Sequence, residues 1–187
     1  YPTWHLADQS FFNQVRRGCW FINSCRGAVH DTRALLEAYE KGIVAEIILD
    51  CWENEPQISR ELLDRTSIAT PHIAGFSADG KATATRMCLE EIQRFFGIHF
   101  DRLGEVVPPA PAHPVINLDS FADLRIENAF LQPFDPLVVD KRLREDPSSF
   151  EWLRNHYDHP REPLAYRVIQ ATPAEKDLLR KIGFVVE

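Results

Sequence analysis

The segment Ile43-Val44-Ala45-Glu46-Ile47-Ile48-Leu49 constrains the fold of this chain more than any other. It is apolar at nearly every position and rich in β-branched residues, which is typical of a strand buried on both faces of a parallel sheet. Asp31 stands where a helix N-cap belongs and Gly42 where a helix ends, so a helix is predicted over 32–41. A helix that leads directly into a buried strand favours a βαβ unit and an α/β fold.

The other periodic segments extend this alternation along the chain. A composition shift at 107–114, where four of eight residues are proline, predicts a linker, because such a run forms neither a helix nor an inner strand. We predict strands at 19–22, 43–49 and 67–70 before this linker, and at 115–118 and 166–170 after it. Further helices are predicted at 7–16, 78–96, 122–131, 150–157 and 174–182.

Composition excludes several classes of partner. The net charge is -7 and the 21 Lys and Arg residues are scattered, so we expect no nucleic-acid binding. No apolar run approaches the roughly 20 residues of a membrane helix. The four cysteines show no C-x-x-C spacing and no signal peptide is present, so we expect no metal site and a cytoplasmic location. Because the chain begins at Tyr1 without a methionine, we expect it to be a piece of a longer protein.

Polar and charged residues concentrate at three predicted strand ends, which is where ligands bind in parallel α/β sheets. The loops at these ends contain Arg26, Glu55 and His72. An arginine can hold a carboxylate bidentately, and a histidine beside a carboxylate can move a proton at neutral pH. This set suits removal of a proton from an alcohol while another group accepts a hydride.

Each of these loop residues also has a purely structural interpretation. Arg26 suits a solvated loop or a helix cap, and His72 suits a structural histidine after a proline. Asp50 suits a turn that closes a strand, and Gly27 and Gly75 suit turns with no ligand nearby. The joint occurrence of such residues at three successive strand ends favours the functional interpretation.

The three loops resemble the signature stretches of the D-2-hydroxyacid dehydrogenases in order and separation. The matching runs are Ile22-Asn23-Ser24-Cys25-Arg26-Gly27-Ala28-Val29, Leu49-Asp50-Cys51-Trp52-Glu53-Asn54-Glu55-Pro56 and Thr70-Pro71-His72-Ile73-Ala74-Gly75. The resemblance implies NAD as cofactor and the C-terminal half of a Rossmann-type parallel sheet domain in residues 1–77. It also implies a small α/β dimerisation domain in 107–187, with 78–106 as the long helix and connection back toward a substrate domain.

Carried over residue by residue, the resemblance implies a role for each loop. Arg26 would anchor the substrate carboxylate, Glu55 would hold the histidine, and His72 would be the acid/base. Asp50 would face the nicotinamide carboxamide. The other implied assignments are Ser24, Cys25, Arg26 and Gly75 for the cofactor, and Arg26, His72 and Phe76 for the substrate.

Further details resemble a branch of the family that acts on a phosphorylated 2-hydroxy acid and forms homodimers through a C-terminal domain. They are Cys25-Arg26-Gly27-Ala28-Val29, Trp52-Glu53-Asn54-Glu55-Pro56, His72-Ile73-Ala74-Gly75 before an aromatic residue, and Gly80-Lys81. Three positions depart from that branch. Phe76 replaces a tyrosine that would contact substrate, and His30 and Thr32 replace the usual valine and asparagine at a helix start.

One signature of dinucleotide-binding domains does not occur in the sequence. The eight glycines include no two separated by a single residue, so the G-x-G-x-x-G motif that binds the cofactor pyrophosphate is absent. We therefore expect this chain alone to bind NAD weakly or not at all. Two alternatives stay open: another family member, of the phosphoglycerate or glyoxylate type, and a non-catalytic regulator or dimerisation fragment.

Overall fold

The computed structural model describes residues 2–187 and divides into two compact units. The first unit extends to Gly75 and includes Pro136–Tyr157, and the second comprises Phe76–Asp135 and Asp158–Glu187. The α/β class is as predicted. In chain order the strands are β1 (Cys19–Asn23), β2 (Val44–Leu49), β3 (Ile68–Ala69), β4 (Val115–Asn117), β5 (Arg167–Ile169) and β6 (Val185–Val186). The α-helices are α1 (Gln9–Phe12), α2 (Thr32–Glu40), α3 (Arg60–Arg65), α4 (Ala78–Phe96), α5 (Arg125–Leu131), α6 (Pro136–Glu145), α7 (Phe150–Asn155) and α8 (Pro173–Ile182).

The first unit is built on a parallel sheet in the order β1-β2-β3. Asn23 of β1 pairs with Leu49 of β2, which pairs in turn with Ala69 of β3. The carboxyl ends of the three strands therefore lie side by side at one edge, as predicted. The prediction that β2 is buried on both faces is only partly correct, because Val44 is buried while Ala45 is exposed.

Helix α2 begins where the sequence predicts. The Asp31 carboxylate accepts a hydrogen bond from the Ala34 N–H at 2.9 Å, which satisfies one of the free N–H groups of the first turn. Gly42 follows the helix with a φ of +64°, a conformation that residues with a side chain rarely adopt. Leu35 and Ala38 are fully buried, so the helix contributes directly to the core of the first unit.

The sequence pattern does not predict helix α6, which packs in the first unit. Asp140 is 9% exposed and accepts a hydrogen bond from the Ala69 N–H of β3 at 2.7 Å. Arg144 forms an ion pair with Asp140 at 2.8 Å. Arg144 also donates to two main-chain carbonyl oxygens, those of Leu63 at 2.7 Å and Thr66 at 2.5 Å.

These contacts place Pro136–Tyr157 in the first unit, whereas the predicted boundary puts all of 107–187 in one C-terminal module. The difference has a physical reason. The boundary was inferred from the proline-rich composition of 107–114, and composition carries no information on the later segment that hydrogen-bonds to the free edge of β3.

We expect Asp140→Ala to lower the free energy of unfolding by about 2 kcal/mol, because the buried Ala69 N–H loses its acceptor and Arg144 its counter-ion. Urea denaturation followed by circular dichroism measures the change. Asp177→Ala is the matched control, since Asp177 is 78% exposed and its removal should stay within about 0.5 kcal/mol. Equal losses in the two variants would contradict the structural role of Asp140.

The second unit contains its own parallel sheet, in the order β4-β5-β6. Leu118, Val168 and Leu179 are fully buried in its core. Helix α8 starts with a capping box in which Thr172 and Glu175 exchange side-chain-to-backbone hydrogen bonds, a strong N-terminal signal. Helix α4 has its predicted bounds, whereas β6 is not predicted. None of the helices formed by residues 2–187 is both long and apolar enough to cross a bilayer.

Candidate active site

The loop after β1 is held by the side chain of Asn23, which is 3% exposed. Its amide nitrogen donates to the Arg26 carbonyl oxygen at 2.9 Å, and its amide oxygen accepts from the Cys25 N–H at 3.1 Å. These bonds fix the main chain on both sides of the loop. The Arg26 side chain is exposed, so a rigid backbone presents a solvent-accessible guanidinium.

Gly27 brings this loop against the loop that follows β2. A β-carbon at Gly27 would lie 1.8 Å from the Trp52 carbonyl oxygen and 2.6 Å from the Glu53 nitrogen. Only glycine permits this approach of two main chains. The glycine therefore has a packing role between two of the three loops, beyond the turn role that the sequence suggests.

Asp50 connects the loop after β2 to the loop after β3. One carboxylate oxygen, Oδ1, accepts from the Thr70 hydroxyl at 2.7 Å, the Ile73 N–H at 2.7 Å and the Ala74 N–H at 3.1 Å. The side chain is buried, so these bonds offset the cost of removing its charge from water. The other oxygen, Oδ2, lies 3.8 Å from the Cys51 sulfur.

Glu55 and His72 form the predicted pair. His72 Nδ1 lies 2.7 Å from Glu55 Oε2, and Glu55 Oε1 accepts from the Trp52 N–H at 2.7 Å. Their side chains are 19% and 21% exposed. Because a carboxylate beside Nδ1 favours the N–H tautomer at that atom, Nε2 of the neutral ring is left as the proton acceptor.

A pocket of about 320 Å³ brings the three predicted catalytic residues together. Arg26, Glu55 and His72 all line it. The sequence did not predict the remaining lining residues, which are Trp4, Gly27, Ala28, Trp52, Glu53 and Asn54. The pocket therefore combines a cation, a carboxylate–histidine pair and apolar walls, which suits a small anionic ligand.

The other predicted residues lie outside this pocket lining. Ser24 and Cys25 are exposed on the loop after β1, and Gly75 is exposed at the end of the first unit. Phe76 belongs to the second unit, where its ring centroid lies 6.2 Å from that of His159. The assignments of these four residues and of Asp50 to cofactor or substrate stay predictions, as do the roles of the three residues that line the pocket.

Glu53 supports the site in a way that the sequence does not reveal. It accepts from His5 Nε2 at 2.7 Å and from the Thr32 N–H at 2.8 Å. Burial raises the pKa of Glu53, but the hydrogen bonds from His5 and Thr32 outweigh it and hold that pKa below its ordinary value. Glu53 thus joins the loop after β2 to the start of α2. His5, Thr32 and Glu53 are too far apart in the sequence to form a recognisable motif.

His30 is fully buried beneath the same loops. The Asn23 amide nitrogen donates to its Nδ1 at 3.0 Å, and its Nε2 has no hydrogen-bond partner among residues 2–187. Burial lowers the pKa of His30 from 6.5, with the Glu53 carboxylate opposing that effect in part. The folded protein therefore disfavours a charged His30.

This predicts a stability loss in mild acid. The unfolded chain takes up a proton on His30 below pH 6.5, while the folded chain does so only at lower pH, so stability falls as pH drops through that window. The slope is at most about 1.4 kcal/mol per pH unit. His30→Val removes this contribution. The difference in unfolding free energy between the natural protein and His30→Val should therefore not be the same at pH 7 and at pH 5. A constant difference would contradict the prediction.

The chain is similar in sequence to known proteins over nearly its whole length. Residues 2–74 match the family described as D-isomer specific 2-hydroxyacid dehydrogenase, NAD binding domain. The erythronate-4-phosphate dehydrogenase of Porphyromonas gingivalis is 49% identical over 186 residues, 99% of this chain and 50% of that protein. That of Escherichia fergusonii is 36% identical over 193 residues, 98% of this chain and 50% of that protein.

A crystal structure of apo D-mandelate dehydrogenase from Rhodotorula graminis is 34% identical, covers 50% of this chain and 27% of its own, and has a TM-score of 0.47. The chain spans about half the length of the curated relatives it matches. The family match contains all three strand-end loops up to residue 74. Over residues 2–74 the chain is therefore similar to the NAD-binding domain of the D-isomer specific 2-hydroxyacid dehydrogenases.

Proposed function

We propose that the full-length protein oxidises 4-phospho-D-erythronate with NAD to 3-hydroxy-2-oxo-4-phosphobutanoate, in the cytoplasm and in pyridoxine 5′-phosphate (vitamin B6) synthesis. The observation that carries the reaction type is the Glu55–His72 pair at 2.7 Å, in one pocket with Arg26. The choice of substrate rests on relatives that are named erythronate-4-phosphate dehydrogenases.

In the proposed mechanism Arg26 binds the substrate carboxylate through two parallel N–H···O bonds. His72 accepts the proton of the 2-hydroxyl group at Nε2. Glu55 holds Nδ1 and stabilises the imidazolium that forms. The hydrogen on carbon 2 leaves as a hydride, for which bound NAD supplies the acceptor.

The residues present fit the nicotinamide end of NAD. Asp50 Oδ2 accepts from the Cys51 thiol at 3.8 Å, and because the three loop hydrogen bonds use Oδ1, it has a second lone pair for an amide N–H. Ser24, Cys25 and Gly75 are exposed on loops at the same strand ends. The sequence contains no G-x-G-x-x-G for the pyrophosphate, so we assign no residue of this chain to that part of the cofactor.

Turnover on three 2-hydroxy acids tests the proposed function. The full-length protein should reduce NAD at least about ten times faster with 4-phospho-D-erythronate than with 3-phospho-D-glycerate or glycolate. This ratio corresponds to a difference of roughly 1.4 kcal/mol in the activation free energy. A preference for either of the other two acids would identify a different member of the family. No reduction with any of them would favour a non-catalytic role.

Glu55→Gln should move the acid limb of the pH–rate profile to lower pH and lower its plateau. Glutamine can still accept from the Trp52 N–H, but it carries no charge to stabilise the imidazolium of His72. The profile of kcat/KM measures this directly. Glu37→Gln, which changes a partly exposed carboxylate of α2 that pairs with Arg33 and Lys41, is the control. A Glu55→Gln profile that superimposes on that of the control would contradict the pairing.

We also propose a homodimer that forms through residues 107–187. Several apolar side chains in this range are exposed and support the proposal: Leu124, Phe130, Leu164, Leu178 and Val185. A dimer interface over these side chains would remove their apolar surface from water. Light scattering of the full-length protein should give a dimer mass at micromolar concentration, and a monomer mass would contradict the proposal.

A further inference from the structure

Three metal-binding side chains converge behind the pocket. Cys51 and Glu55 follow β2 and His72 follows β3, and one ligand atom from each lies within 4.8 Å of the other two. Cys51 is fully buried, and the other two line the pocket. The sequence-based expectation of no metal site considered only the spacing between cysteines, whereas this set combines one cysteine with residues from two different loops.

The donor set and its surroundings suit a borderline-soft divalent cation. Zinc binds cysteine sulfur, histidine nitrogen and carboxylate oxygen, whereas magnesium and calcium prefer oxygen alone. The carboxylates of Asp50 and Glu55 create a negative potential around the Cys51 sulfur, with Asp50 Oδ2 at 3.8 Å. Because Cys51 is a fully buried thiol, a cation would have to displace its proton.

We propose that Cys51, Glu55 and His72 form a zinc-binding site. Usual zinc bond lengths place tetrahedral ligand atoms roughly 3.5 Å apart, so Cys51 must approach the pair by about an ångström and the 2.7 Å bond between His72 and Glu55 must open. Water from the pocket completes the coordination. On binding, the cysteine proton leaves to solvent and the single ring proton of neutral His72 moves from Nδ1 to Nε2.

Occupation by zinc removes the hydrogen bond that orients His72. Zinc is therefore expected to act as a reversible inhibitor, a consequence that rests on the proposed function. Binding itself does not rest on it, because the ligand atoms are present whether or not the protein is an enzyme.

Titration with cadmium tests binding without any measurement of activity. Cadmium resembles zinc in its ligand preferences, and a cadmium–thiolate bond absorbs in the ultraviolet. In the natural protein we expect the band to reach its full height at one equivalent of cadmium, and zinc should compete with it. Cys25→Ser and Cys88→Ser, which alter exposed cysteines, should behave in the same way. The band should be absent in Cys51→Ser. A band that persists in Cys51→Ser, or none in the natural protein, would overturn the proposal.

A second variant keeps the test informative if Cys51→Ser does not fold. His72→Gln alters a half-buried side chain and retains Cys51, and it should weaken zinc binding at least about 100-fold, since loss of even an outer-shell partner costs 10–100-fold. Zinc should also raise the Tm of the natural protein and not that of the variant. Equal affinities and equal Tm shifts in the two proteins would refute the site.

The two proposals fail separately. A cadmium band without dehydrogenase turnover would support the zinc site and reject the proposed function. Dehydrogenase turnover without a cadmium band, and without any inhibition by zinc that a chelator reverses, would support the proposed function and reject the zinc site.

Discussion

Replacing His72 with alanine in the full-length protein is expected to lower kcat by about two to four orders of magnitude, the usual contribution of a positioned acid/base group. Alanine leaves no side chain to accept the proton of the 2-hydroxyl group. It also leaves the Glu55 carboxylate in the pocket without the partner that it contacts at 2.7 Å. Steady-state reduction of NAD at saturating 4-phospho-D-erythronate measures the change.

His99→Ala is the matched control for this result. His99 is 80% exposed and contacts Asp101 at 3.7 Å, so its loss should leave kcat within a factor of about two. Circular dichroism of both variants establishes that each is folded. If folded His72→Ala turns over at a near-normal rate, His72 is not the acid/base.

Replacing Gly27 with alanine is expected to have the second largest effect. The added β-carbon would lie 1.8 Å from the Trp52 carbonyl oxygen, and neither main chain can yield easily. We expect a loss of about 3 kcal/mol in the free energy of unfolding, at the upper end of the usual cost of overpacking. Because Arg26 precedes this glycine, kcat/KM should also fall by about 100-fold, the effect of misplacing a substrate contact by about an ångström.

Gly104→Ala separates this close approach from a general effect of glycine replacement. A β-carbon at Gly104 would have no heavy atom of residues 2–187 within 4 Å beyond its own chain neighbours, so we expect stability and kcat/KM to be nearly unchanged. Urea denaturation and steady-state kinetics of the two variants give the comparison. Similar behaviour of the two variants would mean that the loops do not depend on the contact between Gly27 and Trp52.

Local signals in the sequence were sufficient for much of the first unit. The apolar run at 43–49 and the Asp31 cap each depend on neighbouring residues, and both correspond to observed elements. The candidate site followed from one topological rule, that parallel strands present their carboxyl ends at one edge. As the rule predicts, Arg26, Glu55 and His72 line a single pocket.

Two features that were not predicted depend on contacts between distant residues. Helix α6 joins the first unit through Asp140 and the main chain of Ala69, which are 71 residues apart. Glu53 is bound by His5, which is 48 residues away. The predicted helix at 7–16 is only Gln9–Phe12, because the following residues enter the turn before β1. No local pattern encodes such contacts, since each depends on how the chain folds as a whole.

The transfer of deuterium from carbon 2 of the substrate tests the central claim most directly. The claim is that the pocket of Arg26, Glu55 and His72 belongs to a site where an alcohol loses its proton to His72 and its carbon-bound hydrogen to NAD. With 4-phospho-D-erythronate deuterated at carbon 2, mass spectrometry of the reduced cofactor should show one deuterium for each 2-oxo acid formed. Deuterium recovered in water, or no 2-oxo acid formed by the full-length protein, would contradict the account.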